Sequence, residues 1–214
     1  MNTYQYILKK YNINPGRQYI IEIPNMGRAD LAALFAELKF KKGVEVGVEQ
    51  GLYSEVLLKA NPKLHLYSID PWKASAYEPN IKTVEKRQSR YNQYYQETKK
   101  RLAPYNCTVM RKTSMAALKS FDDNSLDFVY IDANHDFANF TNDLHYWLKK
   151  IRRGGIISGH DYVYFPISKF NHIKRVVDAY MVSFNMLPFF IVGAKTYDKG
   201  IIRDRYRSWF WVKT

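Results

Sequence analysis

VEVGVEQGLYSEVLL, running from Val44 to Leu58, is a short apolar strand, a tight turn of glycines and acids, and an amphipathic helix, in that order. That succession builds a ligand site at the edge of an open α/β sheet. Gly47 and Gly51 have no side chains, so the backbone can bend sharply and lie against a ligand, while the amides that open the helix at Leu52 to Ser54 face the same way. The turn also carries Glu45 and Glu49, which would repel a pyrophosphate. It lacks the third glycine of a dinucleotide fingerprint. A cationic ligand suits it better.

Working outward, LHLYSID (Leu64 to Asp70) reads as a second strand ending in an acid, about 20 residues after the glycines, where a ribose-binding carboxylate is expected. CTVMR (Cys107 to Arg111), LDFVYID (Leu126 to Asp132) and IIS (Ile156 to Ser158) read as further strands. Helices are expected between them. Leu31, Leu34, Phe35 and Leu38 have helical spacing ahead of the first strand, and Ile81 to Pro104 reads as a long charged helix that serves as a cap or a dimer surface. Asn139 to Ile151 reads as a helix with Phe140, Leu144, Trp147, Leu148 and Ile151 inward, Arg152-Arg153 at its end and Gly154-Gly155 as its stop. A helix over Lys169 to Phe184 follows an aromatic loop from Tyr162 to Phe170. LPFFIVG and RSWFWVK close the chain as an apolar strand pair, and YIIEIP (Tyr19 to Pro24) reads as a short strand or a pocket rim. Strands alternating with helices make a mostly parallel sheet covered on both faces, with an antiparallel pair at the C-terminal edge.

These motifs together resemble the class I S-adenosylmethionine-dependent methyltransferases, most closely a small stand-alone group that is methyltransferase-24-like. The resemblance rests on Glu45-x-Gly47-x-x-x-Gly51, Asp70, Thr113-Ser114, DFVYIDANHD (Asp127 to Asp136) and RRGGIISGHDY (Arg152 to Tyr162), in that order. It implies a Rossmann-like, doubly wound sheet of seven strands with helices on both faces. One domain is expected, with a helical prelude over 1–41, a cofactor-binding core over 42–162 and an acceptor-side loop, helix and strand pair over 163–214.

The resemblance also implies S-adenosylmethionine as cofactor, methylation of a small or sugar-like acceptor, and roles for single residues. Glu45 would meet the methionine ammonium, Gly47, Val48 and Gly51 would form the turn against it, and Asp70 would take both ribose hydroxyls. Thr113 and Ser114 would line the adenine pocket and Trp72 would pack on the ribose or adenine edge. The plain structural alternatives are a helix-flanking acid for Glu45 and a strand-end cap for Asp70. Methyl transfer from a sulfonium needs in-line positioning and a deprotonated acceptor. For the second task Asp132, His135, Asp136, His160 and Asp161 are the candidates, with His135, His160 and Asp132 as the catalytic set. Alternatively Asp132, His160 and Asp161 hold a divalent metal that acidifies an acceptor hydroxyl, and the histidine in place of a second carboxylate favours manganese, iron or no metal at all over magnesium.

Composition bounds the partners. With 214 residues and 46% hydrophobic content, the chain has the material for one substantial core. It has no membrane-length apolar run and no leader-like N-terminus, so a cytoplasmic protein is expected, and its single cysteine, Cys107, can form no internal disulfide. A formal net charge of +13 draws polyanions, so nucleic acid stays open as a partner and RNA methylation as a second function. Arg203, Arg205 and Arg207, with Lys169, Lys174 and Arg175, are the candidate phosphate rim; a charged strand that resists aggregation is the simpler account. DNA-base methylation is disfavoured, because Asp132-Ala133-Asn134-His135 lacks the proline-rich run that cradles a flipped base. A third reading is a protein that binds the cofactor or its demethylated product without catalysis. A homodimer is compatible with the sequence.

Overall fold

A computed structural model describes residues 1–74, 84–164, 171–193, 204 and 206–214. Its centre is an eight-stranded sheet: β1 (Ile20–Ile23), β2 (Lys42–Val46), β3 (His65–Asp70), β4 (Cys107–Arg111), β5 (Leu126–Ile131), β6 (Ile151–Gly159), β7 (Phe189–Val192) and β8 (Ser208–Val212). Across the sheet the order is β1-β7-β8-β6-β5-β2-β3-β4. All pairings are parallel except those of β8 with β6 and β7. From β2 the chain steps outward to β3 and β4, then crosses back to lay β5 on the other side of β2. Strand order therefore reverses between β2 and β5, and a ligand crevice in such a sheet lies at the carboxyl ends of those strands.

Helices cover both faces. On one lie α1 (Thr3–Lys10), α2 (Arg28–Glu37), α3 (Leu52–Ala60) and α4 (Val84–Leu102), whose Ile7, Leu31, Leu34, Phe35, Leu57 and Leu102 pack with Leu66, Phe128, Tyr130 and Phe210 of the sheet. On the other lie α5 (Ser114–Leu118), α6 (Phe137–Lys150) and α7 (Ile173–Ser183), packed through Phe140, Leu144, Trp147, Val177 and Met181 onto Val44, Ile69, Val129 and Ile157. The apolar positions recur three and four apart along each helix, which puts them on one stripe. Alternate residues of a strand serve opposite faces, so Val44 and Val46 belong to one core and Glu45, between them, to the other.

Two local readings change. The sheet has eight strands, because Ile20–Ile23 pairs in parallel with β7 and lies outside the antiparallel β7–β8 pair. Helix α6 ends at Lys150 and Ile151 turns to extended backbone, so Arg152, Arg153, Gly154 and Gly155 belong to a nine-residue β6. The glycines there do not stop a helix. A Cβ on Gly155 would stand 2.5 Å from the Asp127 carbonyl, and the register between β5 and β6 shifts at this point, so a side-chain-free residue lets the irregular strand close on its neighbour. At the N-terminus, Asn2 and Gln5 form a reciprocal capping box that starts α1. The Lys195 to Gly200 turn, and the ends of the expected helices at 81–83 and 169–170, lie outside the described residues.

Candidate functional site

The glycine turn is fixed from three sides. Gly47 has φ +89°, and a Cβ there would fall 2.1 Å from the carbonyl oxygen of Asp132, so β2 and the end of β5 approach closely only because this residue is glycine. Gly51, with φ +74°, is the N-terminal cap of α3. From the β3 side, Asp70 Oδ2 accepts the amides of Val48 and Glu49, both at 3.0 Å, and its Oδ1 accepts the Trp72 amide at 2.7 Å. A carboxylate offers about four acceptor sites. Among the described residues three are in use. From the α4 side, Trp72 is fully buried with Val48 and Tyr94, donates its indole N–H to the Glu49 carbonyl at 2.7 Å, and meets the Tyr95 ring at 4.9 Å. Thr98 and Arg101 of α4 donate to the carbonyls of Glu49 and Gln50. The indole thus braces the turn against α4.

Glu45 lies beneath the turn, 2% exposed, and accepts a very short hydrogen bond from the Ser54 hydroxyl, which in turn contacts Ser68 at 2.8 Å. Burial pushes its pKa up to about 8; the Ser54 bond opposes this and the nearby Asp132 adds to it. At neutral pH it is mostly a protonated acid.

At the end of β4, Thr113 accepts the Ala116 amide at 3.3 Å and so begins α5. Ser114 donates a very short hydrogen bond to Asp143 of α6 and accepts the Trp147 indole N–H at 2.8 Å. Its hydroxyl is therefore turned toward α6. Burial lifts Asp143 to about 6, against the Ser114 bond. The signal for this pair was an acid set among Phe140, Leu144 and Trp147 on the apolar stripe of a helix.

The ends of β5 and β6 bring together Asp132, His135, His160 and Asp161. His135 Nε2 stands 2.7 Å from Asp161 Oδ2, and His160 Nδ1 stands 3.5 Å from Asp161 Oδ1 and 3.9 Å from Asp132 Oδ2. Asp161 lies between two imidazoles. Burial raises its pKa, but His135 and His160 outweigh that and hold it well below the usual carboxylate range. His135 is raised chiefly by Asp161. For His160, burial acts downward, yet Asp161 and Asp132 carry the net shift upward. Asp132 is raised by burial, against the pull of His160. The Nε2 atoms of His135 and His160 are both buried without an aligned hydrogen-bond partner among the described residues. Asp132, His135 and Asp161 each offer one ligand atom, all within 4.8 Å of one another. His160, expected from sequence as the metal-ligating histidine, is outside that grouping.

Other expected residues lie elsewhere. Asp136 accepts the Asn139 amide at 2.9 Å as the cap of α6, which accounts for an acid at this position. Arg207 pairs with Glu22 at 3.0 Å, Lys174 pairs with Asp178, and Arg175 lies over the Tyr164 ring at 4.5 Å. Lys169, Arg203, Arg205 and the stretch 165–170 of the aromatic loop are outside the described residues. One residue had no sequence signal beyond opening a helix. Arg28, at the start of α2, reaches to 3.8 Å from Asp132 Oδ2 with its guanidinium over the Tyr53 ring. With Ala29, Leu52, Tyr53, Val56 and Asp204 it lines a surface cavity of about 170 Å³. A hollow of about 370 Å³ lies at the amino ends of β3 and β4, among Leu58, Leu64, Pro104 and Tyr105, away from every motif. No helix among the described residues is long and apolar enough to cross a membrane.

No curated protein sequence matches the chain. Among solved structures, an O-methyltransferase from Streptomyces achromogenes, TomG, in complex with S-adenosylmethionine, is similar at 17% identity and a TM-score of 0.58, over 87% of this chain and 80% of that one. An O-methyltransferase from Bacillus cereus in complex with S-adenosylhomocysteine is similar at 15% identity and a TM-score of 0.58, over 99% and 87% of the two chains. At such identities the likeness is one of fold. The profile of a family described as a methyltransferase domain matches residues 44–162, from the first strand of the glycine turn to the residue after Asp161. With more than half its length in that match and a Rossmann-like sheet beneath it, the chain belongs to this methyltransferase family.

Proposed function

We propose that the protein transfers the methyl group of S-adenosylmethionine to a hydroxyl oxygen of a small or sugar-like acceptor. One observation carries the reading. The glycine turn with Asp70 and the cluster Asp132–His135–His160–Asp161 share the carboxyl edge of the sheet on the two sides of its reversal point, with Gly47 and Asp132 in contact. A nucleoside on one side and a proton acceptor on the other is what transfer to oxygen requires. The acids Asp70 and Asp132 favour a sulfonium and an ammonium, while Glu45, protonated beneath the turn, adds no charge. Asp70 takes a ribose hydroxyl on its remaining acceptor site, the turn from Gly47 through Val48 to Gly51 frames the methionine, and Thr113 and Ser114 frame the adenine through the backbone of α5. Trp72 acts from behind, by holding the turn.

In the acceptor step, His160 takes the hydroxyl proton while Asp161 and Asp132 steady the imidazolium that forms; His135 shares Asp161 and sets its orientation. The methyl carbon passes from sulfur to oxygen and leaves S-adenosylhomocysteine. A divalent metal also fits this edge, through Asp132, His135 and Asp161, since each presents a ligand atom and the three atoms lie within 4.8 Å of one another. Such an ion supplies Lewis acidity that lowers the pKa of an acceptor hydroxyl, and an imidazole ligand favours manganese or iron over magnesium.

Calorimetric titration with S-adenosylmethionine tests the shared core, with saturable binding as the expected result. Transfer of a labelled methyl group to panels of phenols, catechols and sugars tests the acceptor. Labelled RNA in place of those acceptors marks the RNA reading, and saturable cofactor binding with no acceptor in any panel marks a non-catalytic binder.

A further inference from the structure

Of the basic side chains expected to form a phosphate rim, Lys174, Arg175 and Arg207 are described, and two of them already have carboxylate partners. Lys174 pairs with Asp178 and donates to the Tyr162 hydroxyl at 3.0 Å, and Arg207 pairs with Glu22. Arg175 meets no carboxylate among the described residues. Its guanidinium is exposed, lies over the Tyr164 ring at 4.5 Å and gives one N–H to the Asn171 carbonyl at 3.5 Å. Stacking uses the flat face of the group and leaves the rest of its donor edge to solvent. Tyr164 is itself 64% exposed, so aromatic surface and a cationic edge stand open side by side.

Both members of the pair are tied by backbone to the histidine–aspartate cluster. Asp161 has φ +58°, and the Val163 amide donates to its carbonyl at 2.7 Å, so the chain turns off the sheet directly after β6 and delivers Tyr164 three residues beyond Asp161. On the other side the His172 amide donates to the His135 carbonyl at 2.9 Å, which fixes the start of α7 against the turn after β5. Arg175 follows in the first turn of that helix. The pair thus flanks the proton acceptors from outside. A compound whose hydroxyl reaches His160 can rest its body on Tyr164 and its far end on Arg175. An anionic group close to the reacting oxygen would face Asp132 and Asp161, whereas at the rim it meets a guanidinium that can hold it by two parallel bonds. We propose that Tyr164 and Arg175 select the methyl acceptor, a small hydroxyl compound that carries a carboxylate or phosphate group away from the reacting oxygen. The inference rests on the methyl-transfer reading above and narrows its acceptor.

Calorimetric titration onto the full chain saturated with S-adenosylhomocysteine tests it with two matched pairs of probes, protocatechuate against catechol and glucose phosphate against glucose. The wild type is expected to bind the anionic member of one pair about tenfold or more tightly than its neutral partner, and the pair that shows this tells carboxylate from phosphate. Arg175→Met should weaken that anionic probe by about 10–100-fold and change the neutral one by less than about threefold, so the preference disappears; Arg175→Lys should restore part of it. Tyr164→Leu should weaken both members by about threefold to tenfold, as loss of a stacking face does. Arg153→Met removes the same charge from an exposed position at the amino end of β6 and should leave the preference intact. Thermal melts should agree across the variants, since all three side chains are exposed. A preference that survives Arg175→Met or vanishes in Arg153→Met overturns the proposal, as does a wild type that binds the members of both pairs alike or binds none. In each of these cases the cofactor titration leaves the methyl-transfer reading standing. A folded wild type that does not bind S-adenosylhomocysteine overturns both.

Discussion

Asp70 shows how much one carboxylate can be asked to do. It accepts three backbone amides that belong to the turn and to the segment after β3, so replacing it removes the acceptor of each and, with them, the site for a ribose hydroxyl. Asp70→Ala is expected to weaken S-adenosylmethionine binding by about 100-fold or more, near 2.7 kcal/mol, in calorimetric titration. An affinity within about threefold of wild type would remove Asp70 from the ribose contact. Asp161 governs a different equilibrium. Because it lies between His135 and His160 and raises both, the imidazole proton resonances of each should titrate with midpoints above 6.5. In Asp161→Asn both midpoints should fall, with Asp132 left as the acid beside His160. Unmoved midpoints would show that the two rings are not coupled through this carboxylate.

At the scale of elements, the strands from β2 to β5 were legible because each is a short apolar run closed by a polar or turn residue, and the family motifs sit at their ends. The features that needed tertiary contact were hidden. Nothing in IDPW says that the indole faces α4 instead of the ligand crevice, since that depends on where a helix twenty residues later comes to rest. The RRGG segment looked like a helix terminus because cations and glycines suit one, whereas closure of β6 onto β5 and β8 set its conformation. His135, not His160, completes the compact ligand-atom grouping because the turn after β5 folds back over the end of β6, a relation that spacing along the chain does not report. The brace formed by α4 makes its own prediction. Trp72→Ala removes a fully buried indole and its hydrogen bond to the turn, and should cost about 3–5 kcal/mol in chemical denaturation. A loss below about 1 kcal/mol would mean that α4 and the turn hold together without it.

The whole molecule carries buried acids whose protons matter to its stability. Glu45 rises from 4.5 to about 8 and Asp143 from 3.8 to about 6 on folding. The folded chain therefore binds more protons than the unfolded one across that interval, and stability falls as pH rises through it. The raised histidines act the same way, since what they contribute is present below about 6.5 and is lost as pH climbs past their folded midpoints. The depressed Asp161 works oppositely, but its contribution is lost only in strong acid. Unfolding free energy measured with denaturant should thus decline from pH 5 to pH 8, on the order of a few kcal/mol. Glu45→Gln, which cannot ionise, should flatten much of that slope. A wild-type profile that rises over the same range would contradict a neutral Glu45.

The clasp of Asp70 on the amides of Val48 and Glu49 has a consequence for timing. A receptor whose contact loop is already set before its guest arrives spends little ordering energy at encounter. Association should then follow a single exponential in stopped-flow mixing, with a rate that rises linearly with ligand concentration, as for a mould that is cast in advance.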